Sequence, residues 1–278
     1  MPRSGWLPAE NGGIVGRMKP FAVNKPLIGM VHLLPLPGSY RYPGGGLTPV
    51  LDAALRDLAA LEAGGADGAI VENLADVPYA KLAPIETVTA MAVILQEIVR
   101  KARVPIGVNV LRNDGKASIA MAAATGASFI RVNVFCGVAF TDQGVIEGEA
   151  HTLLDLRRRL GWEIALLADV HVKHAAHPES IEHAALDAAR NLPDGLVVSG
   201  IATGKRTPPE NLQAVRQAST LPVLIGSGVR IDNLSVYHAA DGFIVGSSLK
   251  EGGKVEAPVE EKRVRALAEG IADLRDEA

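Results

Sequence analysis

The amino-acid sequence predicts a single (β/α)8 barrel, and three observations support this prediction. The chain has 278 residues, and one such barrel typically needs roughly 250. Short apolar runs alternate with helical patterns, and the runs begin about every thirty residues, which is the period of a βα unit. Near the C-terminus two apolar runs end in Gly and Ser, within segments 222–230 and 242–248, as the phosphate-binding strand ends of such barrels do.

Eight apolar runs are the predicted strands. In chain order they span residues 27–32, 68–72, 105–111, 129–134, 163–170, 195–199, 222–226 and 242–246. The helical patterns that follow them span residues 48–63, 87–102, 115–125, 150–160, 179–190, 208–218, 230–238 and 259–274. Because the runs are apolar throughout, we expect both faces of the sheet to be buried, as they are in a parallel barrel.

The predicted helices have recognisable ends. Pro49 and Pro208 stand in the first turns of the first and sixth helices, where a missing N–H costs nothing. Gly64 and Gly126 end the first and third helices just before a strand. Eight uninterrupted units favour a closed barrel over an open doubly wound sheet. No Gly-x-Gly-x-x-Gly sequence follows the first strand, which argues against a dinucleotide-binding fold.

Composition limits the classes of partner and compartment. Hydrophobic residues make up 48% of the chain and aromatic residues only 4%. The net charge is −3, and no basic stripe indicates a nucleic-acid partner. The lone Cys136 excludes an intrachain disulfide and fits a reducing compartment, so we expect a cytoplasmic protein. No apolar run reaches the about 18 residues of a membrane span; peripheral membrane contact stays open, and we expect a homo-oligomer.

We expect one domain over residues 25–278, preceded by a flexible extension over residues 1–24. The extension is rich in Gly, Pro and Asn and lacks the apolar core of a signal peptide. Within it, Met18 is an alternative initiator. The loops over residues 33–47 and 135–149 follow the first and fourth strands. They are candidate lids over the C-terminal face of the barrel, and the alternative is that they are packed surface loops.

Polar side chains gather at the predicted carboxyl ends of the strands, where barrel active sites lie. The candidate catalytic residues are Glu72, Asp169 and His171. Glu72 can act as a general base next to a carbonyl, and its alternative role is an ion pair with Arg131 or Lys173. Period-two spacing puts Asp169, His171 and Lys173 on one face if the fifth strand continues that far. His171 can then transfer protons near neutral pH, and the alternative is an Asp–His pair that caps the next helix.

Further polar residues are candidates for substrate binding, namely His32, Asn109, Asn133, Lys173 and Ser199. The two amides can hydrogen-bond substrate hydroxyls, although they could equally satisfy buried backbone. His32, Glu72, Asp169 and His171 also form a two-His, two-carboxylate set that suits zinc, manganese or iron. The sequence requires no cofactor and contains no tight metal motif, so a divalent metal is an open alternative.

Glycine-rich loops after the last three strands are the predicted phosphate site. Its residues are Thr203, Gly204, Gly226, Ser227, Gly228, Gly246 and Ser247. Glycine lets backbone N–H groups approach an anion without a side chain in the way, and Lys205 or Arg206 adds positive charge. A tight βα turn would explain a single glycine, whereas several glycines in neighbouring loops favour an anion-binding site.

Several segments resemble the BtpA family, and they occur in the family's order. These segments are residues 25–38, 68–73, 105–113, 129–133, 168–173 and 240–248. The resemblance covers about residues 25–275 and implies a ribulose-phosphate-binding-like barrel. The family takes its name from a cyanobacterial protein needed for photosystem I assembly, while other members look like sugar-operon enzymes. The resemblance supplies no catalytic residues, and the long N-terminus departs from the family pattern.

Three functions compete at this stage. The first is an enzyme that acts by proton transfer on a sugar phosphate or nucleotide-like metabolite, as an isomerase, epimerase or lyase. The second, implied by the resemblance, is a non-catalytic assembly or regulatory factor, as in photosystem I biogenesis. The third is a metal-assisted hydrolase at the His32, Glu72, Asp169 and His171 set. The converging titratable groups favour an enzyme, because a scaffold has no use for them.

Overall fold

Parallel strands close into a barrel in the computed structural model, which describes residues 18–200 and 202–276. The strands are β1 (Leu27–His32), β2 (Gly68–Glu72), β3 (Ile106–Asn109), β4 (Phe129–Val132), β5 (Val138–Thr141), β6 (Gly144–Glu147), β7 (Ala165–Val170), β8 (Ala175–Ala176), β9 (Gly195–Val198), β10 (Val223–Ile225) and β11 (Gly242–Val245). All except β5, β6 and β8 belong to the barrel, which is closed by the pairing of β11 with β1. The predicted (β/α)8 barrel is confirmed.

Helices cover the outside of the barrel. They are α1 (Thr48–Ala63), α2 (Ile85–Lys101), α3 (Gly115–Thr125), α4 (Ala150–Leu160), α5 (Ile181–Arg190), α6 (Pro209–Ala218) and α7 (Glu261–Asp276). The crossing after β10 is a 3-10 helix (Ile231–Tyr237) rather than the predicted α-helix. Two shorter 3-10 turns follow β11 (Ser247–Leu249 and Glu251–Gly253). Within the described chain, no helix combines the length and the apolarity needed to cross a membrane.

Local chemistry fixes the ends of α3. Asp114 caps its start by accepting a hydrogen bond from the amide of Ala117 at 3.0 Å. Gly126 ends it in the left-handed conformation, with φ 82°. The chain then turns directly into β4, which keeps this βα unit short and sets Arg131 near the carboxyl end of a buried strand.

The N-terminal end of the barrel is closed by residues just before β1. Met18 and Phe21 are 3% and 5% exposed and belong to the apolar cluster inside the barrel. The Phe21 ring meets Phe129 edge-on, with 5.3 Å between ring centroids. The predicted flexible extension therefore does not describe Met18 and Phe21, whose side chains are packed in the barrel. Residues 1–17 of that segment lie outside the described residues.

Part of the long loop after β4 is a small antiparallel sheet. β5 pairs with β6 as a hairpin and with β8, which comes from the segment after β7. Val134, Ala139, Ile146 and Val172 form a separate buried cluster beneath it. The loop over residues 135–149 is therefore ordered structure joined to the fifth barrel unit, and its role as a lid stays a prediction.

Candidate active site

Inward-facing residues of the barrel change from apolar to polar toward the carboxyl ends of the strands. Ile70, Phe129 and Leu167 lie in the apolar cluster inside the barrel. Two residues further along the same strands stand Glu72, Arg131 and Asp169, and alternation brings these to the same interior face. The strand register adds His32 and Asn109 to this polar layer, because they pair with Glu72 on the two neighbouring strands.

A cavity that is open to solvent lies above this polar layer. Its lining includes these predicted residues: His32, Glu72, Lys173, Thr203, Gly204, Gly226, Ser227, Gly228, Gly246 and Ser247. The lining also includes Met30, Leu74, Arg131, Val245 and Ser248. The cavity therefore brings the predicted glycine loops together with a carboxylate, an amine and an imidazole.

Glu72 contributes a buried carboxylate to the cavity. Asn109 donates a hydrogen bond from Nδ2 to Oε2 of Glu72 at 2.7 Å. His32 Nε2 lies 3.8 Å from Oε1 of Glu72, which is too long for a hydrogen bond. The predicted alternative, an ion pair of Glu72 with Arg131 or Lys173, is not formed in the described part of the chain. One oxygen of Glu72 is thus oriented by an amide, and the other faces the cavity lining.

His32 is neutral at physiological pH. Burial, followed by the charges of Lys250 and Lys173, lowers the pKa of His32 to about 3. Its Nδ1 is buried and has no hydrogen-bond partner among the described residues. A neutral imidazole beside Glu72 can exchange a proton without adding a permanent charge to the cavity.

Asp169 holds Arg131 rather than facing the cavity. Arg131 donates from Nε and Nη2 to the two Asp169 oxygens at 2.8 and 3.0 Å, and Asn133 donates to Oδ2 at 3.0 Å. Arg131 also reaches the hydroxyl of Ser199 at 3.3 Å. Burial alone would lower the pKa of Arg131, but the charge and hydrogen bonds of Asp169 raise it above its ordinary value.

Four of the predicted site residues therefore sit behind the cavity wall. Asn109 supports Glu72, while Asp169, Asn133 and Ser199 contact Arg131 or its carboxylate partner. Arg131 lines the cavity itself, and the predicted site lacked it. The alternation of side chains along a strand could have identified Arg131, because it stands two residues after the inward-facing Phe129 on the same strand.

The expected alignment of Asp169, His171 and Lys173 on one strand face is wrong. β7 ends at Val170, and His171 has φ +55°, so the two-residue alternation stops there. The His171 ring stacks on His177, with 4.3 Å between centroids, and does not line the cavity. Lys173 reaches the cavity through the turn instead, and Arg112 fixes this turn by donating to the Lys173 carbonyl at 2.7 Å.

The predicted metal set does not converge. Among the described residues, the His, Cys, Asp and Glu groups close enough to share an ion are His171, His177 and Glu179, whose ligand atoms lie within 4.8 Å of one another. Only His171 belongs to the predicted set of His32, Glu72, Asp169 and His171. The correction follows from the same break in β7, which turns His171 away from the barrel mouth.

Glycine loops form a further part of the cavity lining. In the described chain, the amides of Gly228, Gly246 and Ser247 have no hydrogen-bond acceptor. Gly228 has φ +71°, and a Cβ there would come within 2.4 Å of the Arg206 Cα, so only glycine fits. Free amides at the ends of two adjacent strands form a cradle for an anion.

Ser227 and Thr203 tie the loops together rather than pointing free hydroxyls at the cavity. The Ser227 hydroxyl accepts from the amide of Gly200 at 2.8 Å and donates to the Lys205 carbonyl at 3.0 Å. The amide of Thr203 donates to Nε2 of His174 at 3.2 Å. These bonds join the loops after β7, β9 and β10 and hold this part of the cavity lining in shape.

A second cavity of about 300 Å³ adjoins the first and shares Gly204 and Gly228 with it. Arg206 and Arg230 line it, together with Asp232 and Asn233. Arg230 is paired with Asp232, whereas Arg206 lies 5.9 Å from the centre of the Tyr237 ring. The glycine wall is therefore backed by positive charge on its outer side.

Sequence comparison places relatives of this chain in archaea and cyanobacteria. The family model described as "BtpA family" matches residues 23–273. An uncharacterized protein of Thermococcus kodakarensis is 51% identical over 253 residues, which cover 90% of this chain and 97% of that protein. The photosystem I biogenesis protein BtpA of Synechocystis is 46% identical over 259 residues, covering 91% of this chain and 90% of that protein.

Comparison with solved structures finds similar barrels of low sequence identity. Thiamine phosphate pyrophosphorylase from Pyrococcus furiosus superposes with a TM-score of 0.57 and 17% identity, over 90% of this chain and 98% of that one. Phosphoribosyl anthranilate isomerase from Thermus thermophilus gives a TM-score of 0.56 and 12% identity, over 89% and 99%. At these identities the likeness establishes the fold alone.

Proposed function

The chain belongs to the BtpA family, and we propose that it is an enzyme acting on a phosphorylated small metabolite by proton transfer, in the isomerase, epimerase or lyase class. The observation that carries the proposal is a single cavity whose lining contains Glu72 together with the glycine loops. The names of the two structural neighbours refer to phosphorylated compounds, which supports this ligand class.

The phosphate binds at the glycine wall. The amides of Gly228, Gly246 and Ser247, which have no acceptor among the described residues, supply hydrogen-bond donors, and Arg206 contributes positive charge behind them. The rest of the metabolite then extends toward the polar layer at the top of the barrel. This orientation brings a carbon next to a carbonyl within reach of Glu72.

Glu72 removes and returns the proton. Asn109 orients the Glu72 carboxylate. The neutral imidazole of His32, 3.8 Å from the other oxygen of Glu72, relays the proton. Negative charge that develops on the carbonyl oxygen is stabilised by the guanidinium of Arg131, which lines the same cavity. Asp169 acts as a positioning residue, because its two hydrogen bonds fix the Arg131 guanidinium.

A thermal-shift screen tests the ligand class. Purified protein is heated with inorganic phosphate, with sugar phosphates and with the same sugars lacking phosphate. A ligand at 100 times its dissociation constant adds about 2.7 kcal/mol of stability, so we expect a clear rise in Tm for phosphorylated compounds only.

A charge placed in the cradle provides the control for this screen. Ser247→Asp puts a carboxylate on the cavity wall, and we expect it to abolish the shift by repelling the phosphate. Ser235→Asp adds the same charge at an exposed position and should leave the shift unchanged. Equal shifts with phosphorylated and unphosphorylated sugars would contradict the proposal.

The second candidate function is that of an assembly factor. It is favoured by the Synechocystis relative, whose name refers to photosystem I biogenesis. Tyr40, Leu82 and Ile85 are 91%, 54% and 72% exposed and could contact a protein partner. A stoichiometric partner captured from native lysate, combined with no response to phosphorylated compounds, would favour this function over the enzyme.

A further inference from the structure

We propose that the Lys173 amine is a nucleophile that forms an imine with the carbonyl carbon of a phosphorylated aldehyde or ketone. This inference rests on the proposed function and narrows it to aldol-type cleavage or its reverse. The substrate class becomes a short sugar phosphate with a free carbonyl group.

The position of Lys173 supports this role. Its side chain lines the cavity together with Glu72, His32 and the glycine wall. A substrate with its phosphate on that wall and its carbonyl toward the polar layer would therefore meet the amine. The backbone at Lys173 is held by the hydrogen bond from Arg112 at 2.7 Å, so the amine approaches from a fixed turn.

The Lys173 amine is not engaged by the protein. In the described chain it makes no hydrogen bond and no ion pair. Lys250 provides the contrast, since it is buried and its amine donates to Asp57 and to the Ala257 carbonyl, both at 3.0 Å. A lysine whose role is structural is bound in this way, whereas Lys173 keeps its amine for the cavity.

The surroundings of Lys173 favour its uncharged, nucleophilic form. Burial and then the positive charge of Arg131 lower the pKa of Lys173, although Glu72 and Asp169 act in the opposite direction. Desolvation and a neighbouring cation are the two means by which proteins activate lysine as a nucleophile. Because Asp169 engages Arg131 through two hydrogen bonds, it is not free to pair with the amine.

The reaction needs no oxidant or external cofactor. The lone pair of Nζ attacks the carbonyl carbon, and the carbonyl oxygen takes up protons and leaves as water, giving a protonated imine. Glu72 removes the proton of the hydroxyl group on the far side of the bond to be cleaved. The electron pair of that carbon–carbon bond moves into the imine, so one fragment leaves as an aldehyde. The remaining enamine takes a proton on carbon, and water hydrolyses the imine to free Lys173.

Borohydride trapping tests the imine. The full-length protein is incubated with dihydroxyacetone phosphate, glyceraldehyde 3-phosphate or ribulose 5-phosphate, then reduced with sodium borohydride and mapped by peptide mass spectrometry. We expect Lys173 to gain the mass of the probe less one oxygen atom. Inorganic phosphate should suppress this adduct by competing at the glycine wall. Glycerol 3-phosphate, which lacks a carbonyl, should give no adduct.

Two comparisons separate failure of this inference from failure of the proposed function. Lys173→Arg keeps the charge and should lose the adduct while inorganic phosphate still raises its Tm. The exposed Lys101 and Lys254 serve as internal controls in the wild-type protein and need no variant. The imine proposal is overturned if these two lysines are labelled and Lys173 is not, while phosphate still raises the Tm. Lys173 would then only position the substrate through its charge. If phosphate also fails to raise the Tm, the proposed function fails with it.

Discussion

Arg131 and Asp169 determine how the candidate site works at the scale of single residues. Their side chains are 2% and 0% exposed, and a carboxylate that the sequence offers as a proton carrier is instead engaged by a guanidinium and an amide. Glu72, two barrel strands away from β4, has no such cation bound to it and faces the cavity. Two acids in similar sequence positions therefore acquire different roles from their neighbours alone.

Removing the carboxylate of Asp169 should destabilise the fold. Asp169→Ala leaves the buried Arg131 unpaired, and breaking such a pair typically costs about 3–5 kcal/mol. Urea denaturation at neutral pH measures the loss. Asp155→Ala breaks ion pairs on the exposed face of α4 and should leave the midpoint almost unchanged. Equal effects of the two variants would contradict the structural role of Asp169.

His32 should make stability fall in mild acid. Its pKa is about 3 in the folded protein, against an ordinary value of 6.5, so only the unfolded chain binds its proton between these values. Protonation of His32 leaves the free energy of unfolding unchanged above pH 6.5. As the pH falls from 6.5 toward 3, it lowers the free energy of unfolding by about 1.4 kcal/mol per pH unit.

Urea denaturation at pH 7, 6 and 5 measures this dependence. We expect His32→Gln to flatten the profile by about 1.4 kcal/mol per unit below pH 6. His151 is exposed on α4, so His151→Gln should keep the wild-type slope. A wild-type slope in His32→Gln would mean that other groups cause the acid sensitivity.

At the scale of elements, the ends of the barrel differ in what closes them. The segment before β1 closes the N-terminal end with Met18 and Phe21. The carboxyl end instead carries loops that bond to one another through Ser227, Thr203 and His174. Apolar packing thus closes the N-terminal end, which contributes to stability. Hydrogen bonds between loops hold the carboxyl end, where the candidate site lies.

Phe21→Ala tests the contribution of the N-terminal segment. Losing a buried aromatic ring typically costs about 3–5 kcal/mol, here because the space beside Phe129 and Gly68 would be left empty. Urea denaturation gives the value, and Tyr40→Ala, at a residue 91% exposed, is the matched control. A loss below that of Tyr40→Ala would show that residues 18–24 do not support the barrel.

At the scale of the whole molecule, one barrel provides both a rigid frame and a site assembled from distant parts of the chain. In the candidate site, Glu72 comes from β2, Lys173 from the turn after β7, and the glycine loops follow β10 and β11. Such a site forms only when β11 pairs with β1 and closes the sheet. Homo-oligomerisation and a cytoplasmic location stay predictions.

The sequence by itself determined the fold class and predicted the end of the barrel at which the candidate site lies. Apolar runs, glycine stops and their spacing are local properties of the chain, so they predicted β1, β2, α1 and α3 with the bounds that the structure gives. Polar residues at strand ends likewise indicated the mouth, because strand direction in a parallel barrel is fixed.

Only the tertiary structure decided which polar side chains face the cavity. The pairing of Asp169 with Arg131 joins residues of neighbouring strands, and the turn at His171 depends on a backbone angle that no spacing rule reveals. The burial of Met18 and Phe21 required a closed barrel to receive them. Each of these features depends on contacts between residues that are far apart in the chain. The free energy of such a contact depends on both partners, and the local sequence contains only one of them.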